Sequence, residues 1–148
     1  MSRHAIKTTF WPMVMRGIVR KCPRCGGKPW FTRWMVRTGE RCQTCGYKYE
    51  RQDGFALGAT TMNTIFTFGL IAVVIVVGVV ASYPHIAVKP MIIVGLFVAI
   101  LVPILFFPIS YTVWAAFDLA MHPLEPNEIS DAERALADGR VQSEAAKS

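Results

Sequence analysis

The residues best suited to chemistry in this chain of 148 residues are its four cysteines. They form two Cys-x-x-Cys pairs, each followed directly by a glycine: Cys22, Cys25, Cys42 and Cys45. Two residues between cysteines allow one tight turn to present both sulfur atoms to the same ion. Two such pairs with a gap of roughly 15 to 20 residues are typical of a zinc site with four thiolate ligands. Because protein fills all four positions of the tetrahedron, we expect structural rather than catalytic zinc.

Two other uses of the four thiols remain open. Iron in a rubredoxin-like site takes the same four ligands for electron transfer, and a Cys-x-x-Cys pair can also act as a redox catalyst. The acidic character of soluble iron carriers is absent, because residues 1–53 carry twelve Lys and Arg against three acidic residues. A redox catalyst needs one pair, and no thioredoxin-like βαβ pattern surrounds these two. We therefore predict Zn²⁺.

The segment between the cysteine pairs must bring the two turns together. Residues 28–37 alternate, with one set of side chains on each face: Trp30, Thr32, Trp34 and Val36 against Phe31, Arg33, Met35 and Arg37. Alternating aromatic and β-branched residues indicate a strand. We expect a turn at residues 37–40 and a third short strand at 47–50. Residues 22–53 are thus predicted to form a small β zinc ribbon with rubredoxin-like knuckles.

Two uncharged runs follow the cysteines, at residues 54–84 and 91–117. Spanning the hydrocarbon core of a bilayer takes roughly 20 apolar residues. Two buried helices of a soluble protein are the alternative, but two such long runs around one short loop argue against it. The predicted architecture is a membrane protein with a transmembrane hairpin at 54–117, with spans at about 59–82 and 91–116.

The distribution of basic residues predicts the orientation of the hairpin. Twelve Lys and Arg precede the first span, whereas the loop at 82–90 carries only Lys89. Cytoplasmic segments next to membrane spans are enriched in Lys and Arg. We therefore expect a multi-pass membrane protein with both termini in the cytoplasm, where thiols stay reduced; the resemblance described below implies the bacterial inner membrane.

An amphipathic helix is predicted in the N-terminal segment, residues 1–21. Phe10, Val14 and Ile18 are spaced four residues apart, whereas Arg16 and Arg20 lie on the opposite side. One interpretation is an interfacial helix whose arginines meet anionic lipid. The other is an ordinary helix packed on the ribbon.

The C-terminal segment, residues 118–148, is acidic, with seven Asp and Glu against three Lys and Arg. Ser130 and Glu133 have the spacing of a capping box, which predicts a short helix from there to about Asp138, with Gly139 as its stop. We expect disorder in the last few residues, and docking on a partner by the acidic tail.

Three groups of residues could contact a partner or a ligand. Asn63 and four neighbouring threonines form a polar stripe on the first span, which indicates either a helix–helix interface or hydroxyls bonded back to their own helix. On the ribbon, we expect a partner at Trp30, Arg33 and Trp34. Anionic lipid explains the basic residues better than nucleic acid does. We interpret the three histidines as surface residues, and no arrangement of residues in the sequence indicates an enzyme.

The order of these motifs resembles bacterial domain-of-unknown-function family 983, over roughly residues 15–120. The resemblance rests on Arg20-Lys21-Cys22-Pro23-Arg24-Cys25-Gly26, on Glu40-Arg41-Cys42-Gln43-Thr44-Cys45-Gly46-Tyr47-Lys48-Tyr49-Glu50, and on Asp53-Gly54 before two spans. The family's acidic, glycine-rich stretch before the first span is kept in part at residues 51–54, and the tail after residue 118 is an extension.

Some members of that family are associated with haem-copper oxidase genes. The resemblance thus implies a non-catalytic accessory or assembly subunit of a larger membrane complex, with a respiratory oxidase as the first candidate. The alternative is a membrane-anchored sensor of metal or redox state.

Overall fold

The computed structural model describes residues 9–33, 36–85 and 87–139. Its elements follow in the order α1 (Phe10–Ile18), β1 (Phe31–Arg33), β2 (Val36–Arg37), α2 (Phe55–Ser82), α3 (Val88–Met121) and α4 (Pro126–Ala137). Trp34, which we expected to contact a partner, lies outside the described residues. The last few residues of the chain, where we expected disorder, also lie outside them.

Helices α2 and α3 form a long hairpin. They contain 28 and 34 residues, and both are apolar and long enough to cross a membrane, which fits a two-span membrane protein. Pro103 and Pro108 lie inside α3. At 1.5 Å per residue, α3 is about 51 Å long, which exceeds the roughly 30 Å of a hydrocarbon core.

The excess length of α3 is covered by the rest of the protein. Nine residues between Pro108 and Leu119 are buried, whereas the apolar side chains between Ile92 and Leu105 are largely exposed. The segment 88–107 contains 20 residues and is about 30 Å long. We predicted a span that continues to residue 116, but its last turns are enclosed by α1 and by residues 22–53, here called the cysteine unit.

An aromatic cluster joins the cysteine unit to both long helices. The Trp30 ring stacks on Tyr49 with centroids 4.2 Å apart, and its neighbours on the long helices are Phe55 of α2 and Tyr111 of α3, at 6.0 and 5.9 Å. The indole nitrogen of Trp30 donates a hydrogen bond to the Gly39 carbonyl at 3.1 Å. These four aromatic residues lie at the centre of the core.

The strands are shorter than the sequence predicts. β1 and β2 pair with each other antiparallel, with Phe31 opposite Arg37, so the chain reverses before residues 37–40. The predicted third strand is reduced to a single bridge between Arg41 and Lys48. The alternation is also wrong at its start, because Trp30 and Phe31 are both buried. Trp30 fills the aromatic cluster while Phe31 packs on Phe107 and Tyr111.

Helix α1 packs on α3 and not on the strands. Its contact face is formed by Met13 and Gly17, both buried, and a Cβ atom on Gly17 would lie 2.9 Å from the Thr112 carbonyl oxygen. The Thr112 hydroxyl donates a hydrogen bond to the Gly17 carbonyl at 2.6 Å. Several apolar side chains on the outer side remain exposed, among them Trp11 at 70%.

Helix α4 begins four residues before the predicted Ser130. Pro126 occupies its first turn, and the capping box is formed by Glu125 and Glu128, with the Glu125 N–H donating to the Glu128 carboxylate at 2.9 Å. A proline in the first helical turn loses no hydrogen bond, which is why Pro126 starts the helix instead of interrupting the chain. Gly139, at φ +63°, follows the end of the helix.

Candidate metal centre

The four cysteine sulfurs come together at one point of the cysteine unit. All four Sγ atoms lie within 4.8 Å of one another, and none is in a disulfide. The Sγ atoms of Cys22 and Cys45 are 3.9 Å apart, and those of Cys25 and Cys42 are 3.7 Å apart. A tetrahedron with metal–sulfur bonds of about 2.3 Å places its sulfurs about 3.8 Å apart, whereas a disulfide needs about 2.05 Å. The four thiols therefore fit a metal ion that prefers tetrahedral thiolate ligation.

Two turns of nearly the same shape present the sulfurs. In the first cysteine turn, residues 22–26, the Gly26 N–H donates to the Cys22 carbonyl at 2.8 Å; in the second, residues 42–46, Gly46 donates to Cys42 at 2.8 Å. The two glycines have φ angles of +70° and +69°. Other residues adopt this left-handed conformation at a cost, so the sequence places glycine at both positions.

The thiols perturb each other strongly because they are packed so closely. A hydrogen bond with Cys22 lowers the pKa of Cys25 to about 7. Cys42 accepts hydrogen bonds from Cys22 and Cys25, which lower its pKa. A contact with Cys25, reinforced by burial, raises the pKa of Cys22. Four thiolates at these distances repel one another, and a bound cation compensates that repulsion.

Helix α1 supports the first cysteine turn through Arg16. The guanidinium of Arg16 donates hydrogen bonds to the carbonyls of Pro23 and Arg24, at 3.4 and 3.1 Å. Of the two interpretations of this helix, the contact of Arg16 with the cysteine unit fits the one in which the helix packs on the ribbon, and contact with anionic lipid stays a prediction. Between the helix and the turn, Arg20 adopts a φ of +59° and its N–H donates to the Gly17 carbonyl at 2.8 Å.

Helix α4 supports the second cysteine turn. The Arg41 guanidinium donates to the Asp131 carboxylate at 2.7 Å and to the Gly46 carbonyl at 3.4 Å. Gly46 itself lies against the backbone carbonyl of Ala132, where a side chain would overlap with α4. Helix α4 of the acidic tail therefore docks on the cysteine unit of its own chain, and docking of the tail on a partner stays a prediction.

A buried ion cluster joins the cysteine unit to the end of α3 and the start of α4. Arg51 donates to the carboxylates of Asp118 and Glu128 at 2.8 and 3.0 Å, and to the His122 carbonyl at 2.9 Å. The Arg51 and Asp118 side chains are 7% and 6% exposed. Burial lowers the pKa of Arg51, but the hydrogen bond to Asp118 and the charge interactions with Tyr47, Asp118 and Glu128 together outweigh it, and the pKa rises. Arg51 therefore keeps its charge inside the protein.

This cluster was not predicted from the sequence. Arg51 entered only as part of a motif kept in part, and no contact was expected for Asp118. Asp118 directly follows the uncharged run 91–117, and this signal did not identify a partner 67 residues away.

The structure corrects several predicted contact residues. Trp30 is 1% exposed and cannot offer its ring to a partner. Asn63 is also buried, and its side-chain amide donates to the Pro103 carbonyl at 3.0 Å, so it holds α2 against α3. Three threonines donate back to carbonyls of their own helix: Thr60, Thr64 and Thr67. Of the two interpretations of the polar stripe, back-bonding is the one observed for these hydroxyls.

Comparison with known proteins places the chain in a family. No curated protein and no solved structure matches it. A family model matches residues 31–118, which is more than half of the chain and includes the second cysteine turn, α2 and most of α3. The chain therefore belongs to the family described as "Protein of unknown function (DUF983)".

Proposed function

We propose that this protein is a non-catalytic accessory or assembly subunit of a larger complex in the bacterial inner membrane. In this proposal the cysteine unit is a zinc ribbon that presents a docking surface on the cytoplasmic side. A respiratory haem-copper oxidase is the first candidate for the complex. The observation that carries the proposal is the aromatic cluster, which fixes the metal-binding unit to both membrane helices.

The aromatic cluster makes the cysteine unit a rigid extension of the hairpin. Trp30 of the unit, stacked on Tyr49, packs on Phe55 and Tyr111, one residue from each long helix. The Arg37 guanidinium lies 5.1 Å from the Tyr111 ring centroid and donates to Glu50 at 2.7 Å. A surface held at a fixed height and angle above a bilayer loses little conformational entropy when a partner binds. This suits a docking subunit.

Zinc in this proposal is structural. The thiolates of Cys22, Cys25, Cys42 and Cys45 would hold it, and it would supply a closed tetrahedral link between the two turns. Small zinc domains gain on the order of 10–16 kcal/mol of folding free energy from the metal. The cysteine unit has short strands and a small core, so this proposal assigns part of its folding free energy to the metal.

The membrane placement follows the charge and the exposed apolar surface. Twelve Lys and Arg precede α2, so we propose that both ends of the hairpin and the cysteine unit face the cytoplasm. On α1, the exposed Trp11, Met15 and Ile18 lie beside the covered end of α3, at the level where a bilayer surface would meet the protein. We propose that this outer face of α1 contacts anionic lipid.

The partner would dock on the cysteine unit beside Val36, the first residue of β2, which is 47% exposed. Burial removes Trp30 from the originally expected surface. Arg33 remains a proposed contact residue, and Trp34 lies outside the described residues. The strand pair connects Val36 directly to Phe31, and so to the membrane helices.

Photo-crosslinking from native membranes tests the proposal. A benzophenone amino acid at Val36 is expected to capture specific membrane-protein subunits, which mass spectrometry of the adduct identifies. The same amino acid at Lys28, which is exposed on the cysteine unit outside the strands, serves as the matched control. Oxidase subunits at Val36 but not at Lys28 would support the first candidate. A chain that is extracted in mild detergent as a lone monomer, without adducts at either site, would contradict the proposal.

One observation favours a metal or redox sensor as the second candidate. Cys25 and Cys45 are only partly buried, so an oxidant or chelator can approach two of the four sulfurs. A sensor predicts that mild oxidant or a modest chelator concentration releases zinc within minutes. Zinc that stays bound for hours under the same treatment would exclude this candidate.

A further inference from the structure

The outer side of the second cysteine turn is covered by α4. The inner face of this helix consists of small residues, Ala132 and Ala135, both buried. A Cβ atom added to Gly46 would overlap with the Ala132 carbonyl, and it would lie 3.1 Å from the Leu136 Cγ atom. The backbone of the turn and the backbone of α4 are therefore in direct contact.

Arg41 connects the metal site to α4 through one side chain. It directly precedes the ligand Cys42, donates to the Gly46 carbonyl at the end of the turn, and donates to Asp131 of α4 at 2.7 Å. The position of Arg41 is thus set by the shape of the second turn. If the turn loses its shape, both the Arg41–Asp131 pair and the backbone contact lose their geometry together.

From these contacts we propose that α4 is a metal-dependent clamp. It docks on the second cysteine turn when the metal shapes that turn, and it detaches when the metal leaves. Detachment uncovers a basic surface that includes Arg41 and the side of Arg51 now paired with Glu128. This inference rests on the metal centre of the proposed function, but it adds a movable element to it.

The two sides of the cysteine unit differ in what would hold them without metal. The side that faces the membrane helices is held by the aromatic cluster, in which Tyr49 contacts the ligand Cys42 but Trp30, Phe55 and Tyr111 pack on one another ring to ring. Helix α4 has 12 residues, too few to be stable in water without tertiary contacts. Between α4 and the unit there is a small cavity of about 80 Å³, beside the fully buried Tyr47. Without the second turn, the Arg51–Glu128 pair at the start of α4 is the remaining described ion pair between this helix and the unit, so α4 should detach first.

Thermodynamic coupling makes the proposal testable from both directions. If metal strengthens the docking of α4, the docking of α4 strengthens metal binding by the same factor. Weakening the α4 contact should accordingly speed zinc release even though no ligand is altered.

The first experiment uses the full chain in nanodiscs, loaded with zinc. Hydrogen exchange of the peptide covering 126–137 is measured before and after chelation with EDTA. We expect exchange of this peptide to rise at least tenfold after chelation, while α2 stays protected. Unchanged exchange of the α4 peptide after complete zinc removal would overturn the clamp. A full chain that binds no zinc at all would instead overturn the metal centre, and the clamp with it.

The second experiment weakens docking without altering a ligand. Ala132→Leu places a larger side chain on the docked face, and Ala137→Leu places the same side chain at an exposed position of the same helix as the control. We expect Ala132→Leu to raise exchange of the α4 peptide and to speed zinc release to a colorimetric chelator several-fold, with Ala137→Leu unchanged. Asp131→Asn, which removes the Arg41 partner, should speed release by a smaller factor, about two- to fivefold. Equal release rates for all variants and the natural chain would refute the coupling.

Discussion

The two cysteine turns have nearly the same local structure but different support. Both close with a glycine N–H that donates to a cysteine carbonyl at 2.8 Å, and both glycines have φ near +70°. The chain before each turn forms one bridge with the chain after it, at Lys21–Pro29 and at Arg41–Lys48. The shape of each cysteine turn thus depends on about five local residues, and the same spacing of cysteines and glycine gives the same shape in both turns.

The supports differ in chemistry and in position along the chain. The first turn is held by the Arg16 side chain of the preceding helix, which donates to two carbonyls. The second is held by α4, from the other end of the chain, through a backbone contact and the Arg41–Asp131 ion pair. A flexible side chain can adjust to changes in the first turn, whereas a helix backbone cannot adjust to changes in the second.

Removing one cysteine ligand should have the same effect on zinc binding in either turn, although the two turns have different supports. Cys22→Ser and Cys42→Ser each leave three thiolates, so we expect both variants to lose zinc, from about one ion per chain to almost none. Metal analysis of purified protein by mass spectrometry measures this. Gln43→Ala, a change inside the second turn that removes no ligand, should keep its zinc. Retention of one equivalent by Cys42→Ser would show that the four sulfurs do not share an ion.

Acid should release the metal from both turns together. Hydrogen bonding with Cys22 lowers the pKa of Cys25 to about 7, from its ordinary 9.0. A lowered pKa stabilises the fold above the unfolded value of 9.0, and that stabilisation is lost as the pH falls through 7. Protons then compete with zinc for the thiolates, so zinc affinity should fall by about tenfold or more per pH unit between pH 7 and pH 5. Chelator competition across this range measures it, and a pH-independent affinity would contradict thiolate ligation.

Much of the fold could be predicted from local patterns. The spacing of the cysteines predicted that the four sulfurs meet at one site. The length of the two uncharged runs predicted both long helices. The burial of Trp30 could not be predicted, because alternation assigns it to a face but not to the helix 81 residues away that supplies Tyr111. The Arg51–Asp118 pair likewise joins residues that are far apart in the sequence. Trp30 and Arg51 both contact the part of α3 that exceeds the length a bilayer needs, and no local sequence pattern predicts what covers that part.

The turn glycines test whether the supports differ in rigidity. Gly26→Ala and Gly46→Ala both force alanine into a left-handed conformation, at about 1–2 kcal/mol each. At Gly26 the atoms nearest to the new Cβ belong to the Arg16 side chain, with its Nε at 3.2 Å, and that side chain can move. At Gly46 it would overlap with the Ala132 carbonyl, which belongs to a helix backbone. We therefore expect Gly46→Ala to lower the thermal midpoint of the zinc-loaded chain more than Gly26→Ala does, by several degrees.

Equal midpoints for the two glycine variants would count against a rigid support for the second turn. The membrane hairpin supplies a matched control pair outside the turns. Gly69→Ala, on α2 with no atom within 4 Å of its Cβ position, should leave the midpoint unchanged, whereas Gly58→Ala would overlap with the Trp114 ring.

The smallest expected effect is a difference between Arg41 and Arg16 in how strongly salt changes the cost of replacing them. Arg41 pairs with Asp131, whose side chain is 52% exposed, so Arg41→Gln should cost no more than about 1 kcal/mol at low ionic strength. Raising the salt concentration to about 1 M shortens the screening length to about 3 Å, and the difference between this variant and the natural chain should shrink. Arg16 donates to neutral carbonyls, so the cost of Arg16→Gln should depend much less on salt. Zinc-release rates at low and high salt measure both costs. If the two variants responded to salt equally, the ion pair would contribute nothing specific to the second turn, and its support would come from the backbone contact with Ala132.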